Sequence, residues 1–96
     1  MRSREQCEVD WLAANISNGG SPRVGDLCEI DARLGCEGPG NWSRWIFEAD
    51  AEQIKSAYER AAEWAMQISK DGSFCQESQE REARAARYYR QVAAAM

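Results

Sequence analysis

The sequence contains no histidine. That removes the commonest general base, the commonest metal ligand and the usual pH switch near neutrality. Serine–histidine and cysteine–histidine nucleophiles are excluded with it. Four cysteines are present, Cys7, Cys28, Cys36 and Cys75, but no C-x-x-C pair. Structural zinc sites show close paired spacing, so no metal and no cofactor is expected. No apolar run approaches the ~20 residues of a membrane span. The opening MRSREQCEVD has no apolar segment of a secretory leader, so a cytoplasmic protein with reduced, mostly buried thiols is expected. Only two prolines interrupt the chain.

What remains is a chain of 96 residues, 44% apolar and 29% charged, with a formal charge of −4. The length predicts one compact domain over residues 1–96, with little room for both a core and a deep cleft. The acidity argues against direct nucleic-acid binding, which favours a basic surface able to release counterions. It suits a protein that binds proteins, and it also keeps a small domain soluble.

Ser3 and Gln6 form a capping-box pattern ahead of Cys7, Trp11, Ala14 and Ile16 at helical spacing. Asn18-Gly19-Gly20 predicts the end of that helix. Over residues 27–34 the period changes. Cys28, Ile30, Ala32 and Leu34 alternate with Glu29, Asp31 and Arg33, the pattern of a half-buried strand. The loop GCEGPGN leads into NWSRWIFEAD, read as a second strand with Trp45 and Phe47 on one face and Trp42, Arg44, Ile46 and Glu48 on the other. Asp50 with Gln53 caps a helix predicted over 51–70, striped by Ile54, Ala57, Tyr58, Ala61, Ala65 and Ile68. Asp71-Gly72 stops it. Ser73 is read as the cap of a last helix to about Ala94, striped by Phe74, Ser78, Ala85, Tyr89, Val92 and Met96, with Glu77–Arg81 and Glu80–Arg84 pairs. The fold class expected is therefore α+β: an N-terminal helix, a two-stranded antiparallel β-hairpin, then two antiparallel helices packed on the sheet.

In that fold Trp45 and Phe47 join the core. The outer face of the hairpin then carries Trp42, Arg44, Ile46, Glu29, Asp31 and Arg33, an aromatic ringed by charges, as at interface hot spots. These six are the partner-binding candidates. Two other readings compete for that face: cover by the first helix, with Trp11 on Trp42, and a homodimer seam. On the last helix, Arg81, Arg84, Arg87 and Arg90 with Tyr88 and Tyr89 read as a solvated face rather than a phosphate grip. The acidic residues Glu5, Glu8, Asp10, Glu29, Asp31, Glu48, Asp50, Glu52, Glu59 and Glu63 are numerous enough to form a negative face against a basic partner. GCEGPG lacks the order of a phosphate loop. Cys36 has no basic neighbour to activate it.

No catalytic residue is assigned, and an enzyme is not expected. In size, acidity and lack of catalytic groups the chain resembles the small inhibitors that phages and mobile elements make against bacterial defence systems, anti-CRISPR proteins among them. The resemblance is one of general character and rests on no aligned residues. It implies a non-enzymatic inhibitor in the host cytoplasm, blocking a basic nucleic-acid-binding site on a host protein or nucleoprotein complex. The alternatives are a homodimeric structural or regulatory subunit and a small-molecule sensor.

Overall fold

The computed structural model describes residues 4–20, 24–26 and 46–96. Among them are three helices, α1 (Arg4–Ser17), α2 (Ala51–Lys70) and α3 (Gln76–Ala94), of 14, 20 and 19 residues. Two strands of three residues each, β1 (Val24–Asp26) and β2 (Ile46–Glu48), pair antiparallel with Gly25 opposite Phe47.

The α+β architecture expected from the sequence is not the one that forms; the molecule is a helical bundle. Three residues a side make a clip rather than a layer on which helices can rest. The hairpin partner expected for β2, residues 27–34, lies outside the described residues, and β2 pairs instead with the segment just before it. The core is consequently built between helices. α2 is central, with α1 packed on it at one side and α3 at another.

Each helix owes its ends to local chemistry. Gly19 and Gly20 close α1 in a Schellman arrangement: the Gly20 N–H donates to the Asn15 carbonyl at 2.8 Å and the Gly19 N–H to the Ile16 carbonyl at 3.0 Å. Gly19 sits at φ +82°, where a side chain is strained, and a Cβ on Gly20 would run into the Asn15 side chain. α2 begins as its sequence predicts. The Gln53 N–H donates to Asp50 Oδ1 at 2.8 Å, and the Asp50 N–H donates back to Gln53 Oε1 at 3.2 Å.

α3 starts later than expected, and Ser73 is not its cap. Both the N–H and the hydroxyl of Ser73 donate to Asp71 Oδ1, which organises the turn and holds the Asp71 carboxyl below its usual pKa. The Gln79 side chain donates to the Asp71 carbonyl at 2.7 Å and ties this turn to α3. Cys75 occupies the N-cap position without a side-chain cap bond. With only this short turn between them, and with Tyr58 beside Tyr89 at 6.2 Å, α2 and α3 run antiparallel.

The buried residues of α2 and α3 are all alanines. Ala57, Ala61, Ala62 and Ala65 of α2 are buried, as are Ala86 and Ala93 of α3. Phe74 and Met96, expected inside, are 44% and 50% exposed. On the α1 side, Cys7, Leu12, Ala13 and Ile16 meet Phe47, Ala57 and Ala61. Phe47 is buried as its alternation predicts, and Trp11 packs edge-on against it at 5.8 Å and 85°. Trp11 thus has a ring partner in Phe47, while Trp42 lies outside the described residues.

Two expectations about α1 are corrected by its packing. Asp10, counted among the acids of a negative face, has 0% exposure, and Arg60 Nε donates to its Oδ1 at 2.9 Å. Cys7 is not a free thiol but is disulfide-bonded. Cys75 is free.

Candidate functional site

Of the six residues expected to bind a partner, Trp42, Arg44, Glu29, Asp31 and Arg33 lie outside the described residues. Ile46 falls at the start of β2, opposite Asp26. The outer face of the expected hairpin is therefore not where the described surfaces are found. Three such surfaces remain to be weighed: a groove between α1 and α2, a cavity between α2 and α3, and the exposed surface of α3.

The groove lies where the first turns of α1 meet the start of α2. It has a volume of about 330 Å³ and is lined by Glu5, Glu8, Val9, Asp50, Glu52, Gln53 and Ser56. Four of the seven are carboxylates, and no lysine or arginine is among them. Glu5, Asp50 and Glu52 are exposed, whereas Glu8 is 8% exposed and shows only an edge. The helix dipole favours Asp50 and Glu52 at the N-terminus of α2. Each of these residues was visible in the sequence as an acid, but they belong to separate elements. Only the packing of α1 on α2 brings 5 and 8 beside 50 and 52.

Next to the groove, Arg60 joins the two helices. It binds buried Asp10 and, through Nη1, Glu63 at 3.2 Å. Its pKa is raised, first by the hydrogen bond to Asp10 and then by that carboxylate's charge. Arg60 is thus committed to the α1–α2 contact and is not among the described residues that line the groove. The sequence did hold a signal for Asp10: it stands three residues after Cys7 and three before Ala13, on the apolar stripe.

Between α2 and α3 a larger cavity, about 530 Å³, is lined by Trp64, Ala65, Ile68, Arg81, Glu82, Ala85 and Tyr89, with Ser17 and Asn18 from the end of α1. Burial pushes the Tyr89 hydroxyl above its usual pKa, aided by the charge of Glu82. The cavity has no signature in the sequence, because its aromatic and charged residues also read as an ordinary helix face.

On α3, Arg81, Arg84, Arg87 and Arg90 are all exposed but spread around the helix, with Arg81 at the α2–α3 cavity, and Tyr88 is 60% exposed. The expected Glu77–Arg81 and Glu80–Arg84 pairs do not form; Glu80 accepts instead from the Gln76 side chain at 3.3 Å. Nearby, the exposed Cys75 thiol lies 3.2 Å from the Ser78 hydroxyl, which lowers its pKa.

Among the described residues, no group of three or more cysteine, aspartate or glutamate side chains comes together to hold a metal ion. No helix among them is long and apolar enough to cross a membrane. No family model, no curated protein and no solved structure matches this chain.

Proposed function

We propose that this chain is a non-enzymatic binding protein that engages a basic surface of a larger partner through the α1–α2 groove. The observation that supports this reading is the groove itself, where Glu5, Glu8, Asp50 and Glu52 meet with no cationic side chain among the described residues that line it. A single exposed ion pair contributes only ~0.2–1 kcal/mol. Four carboxylates in one concavity act together, steering a cationic surface and rejecting an anionic one. A small anti-defence inhibitor would occlude a nucleic-acid-binding site on a host complex in this way. A cytoplasmic compartment with reduced thiols is expected from the sequence. With Cys7 bridged, it is not carried into the proposal.

The test is capture from a bacterial lysate by the immobilised protein, beside a Glu5→Lys/Glu52→Lys variant with unchanged circular dichroism. Both positions are exposed, so the variant should fold. A specific partner should be held at ~0.1 M salt and released at ~1 M, where the Debye length falls to ~3 Å. The variant should fail to hold it. Capture unaffected by either salt or charge reversal, or recovery of the chain alone by both proteins, contradicts the proposal.

A further inference from the structure

The cavity between α2 and α3 is built unlike a seam. Elsewhere the two helices close on alanines, but here Trp64 and Ile68 of α2 stand across from Ala85 and Tyr89 of α3. Each pair is spaced i, i+4, so each presents one ridge to the opening. The small Ala85 side chain leaves the space between two aromatic walls unfilled. A volume of about 530 Å³ lies within the ~300–1,000 Å³ usual for small-ligand sites.

The polar groups at this cavity carry two opposite charges side by side. Arg81 and Glu82 are consecutive on α3 and both line it. Arg81 makes no ion pair with any described residue, so its fork of donors is open to a carboxylate. On the other side are Ser17 and Asn18, at the C-terminal end of α1. That end is the negative pole of the helix dipole, and α1 has no basic residue in its last turn to offset it. A cationic group beside Glu82 is favoured from both directions.

From this arrangement we infer that the cavity is a binding site for a small aromatic zwitterion of the amino-acid class. The ring enters between Trp64 and Tyr89, where offset or edge-on contacts are favoured. The carboxylate meets Arg81, and the ammonium meets Glu82 and the end of α1. The inference is independent of the acidic groove, which lies at the first turns of α1 and α2 and shares no lining residue with the cavity.

Three probes separate its parts: phenylalanine, phenylacetate, which lacks the ammonium, and phenethylamine, which lacks the carboxylate. Each is titrated into the intact protein and followed by calorimetry and by backbone amide shifts. Phenylalanine should bind, shifting amides of residues 64–68 and 81–89, and removal of either charge should weaken binding roughly tenfold, as for a charge-assisted hydrogen bond. Arg81→Gln should weaken phenylalanine and phenylacetate and leave phenethylamine unchanged; Glu82→Gln should do the converse. Both residues lie at the rim of the cavity, so the variants should stay folded. No amide shifts at millimolar phenylalanine, equal binding of all three probes, or indifference to Arg81→Gln would overturn the inference. Glu5→Lys/Glu52→Lys should leave phenylalanine binding unchanged, which separates this site from the groove.

Discussion

The residue on which the α1–α2 contact turns is Asp10. A carboxylate with 1% side-chain exposure is tolerated because Arg60 reaches it at 2.9 Å. Replacing Arg60 with leucine should destabilise the fold by about 2–3 kcal/mol, less than the full cost of breaking a buried pair, since the Arg60 side chain is 37% exposed. Urea denaturation checks this, with the midpoint falling and the slope unchanged. Cys75 is the other residue with a distinct forecast. Its alkylation should reach half-maximal rate below the pH of an ordinary thiol, and Ser78→Ala should move that midpoint upward. Iodoacetamide kinetics read by mass spectrometry would show both. Cys7 should label only after reduction.

At the scale of elements, the helix ends were the most legible features, because each is fixed by a few adjacent residues. Asp50 and Gln53 announce α2, and Gly19-Gly20 announce the end of α1. Asp50→Ala should cost ~1 kcal/mol for the lost cap. Gly19→Ala should cost ~1–2 kcal/mol for forcing a side chain into positive φ. Thermal unfolding of each variant measures these. The turn before α3 was misread because Ser73 looks like a cap in sequence, yet Asp71, two residues earlier, takes its donors first. The Asp71 carboxyl has a lowered pKa, so its support for the turn is complete above the ordinary carboxylate range. It is lost as pH falls through the lowered value. The stripe of α3 was misjudged at its ends. Phe74 and Met96 lie beyond the two ends of α3 and are exposed, while the residues buried within the helix are Ala86 and Ala93.

For the molecule as a whole, the alternation around residues 28–34 and 42–48 suggested a sheet as the floor of the core. The observed pairing is three residues long and joins 46–48 to 24–26, so helices carry the packing. Burial of Phe47 survived this change, because an apolar side chain facing inward from β2 meets α1 as readily as it would meet a helix pair. Of the site expected on the hairpin, five of the six residues lie outside the described residues, and the groove is legible only in the packing. Acids from two helices gather only once those helices pack, and no spacing within one segment encodes that meeting. The disulfide at Cys7 was missed for the same reason, since pairing depends on which segments approach. The central claim, that the groove formed by Glu5, Glu8, Asp50 and Glu52 holds a basic surface, is tested most directly by affinity. The captured partner would be titrated against wild type and the Glu5→Lys/Glu52→Lys variant from ~0.05 to ~1 M salt. The account predicts at least tenfold weaker binding by the variant at low salt, with the two curves converging as salt rises. Equal affinities at low salt, or a wild-type affinity indifferent to salt, would contradict it.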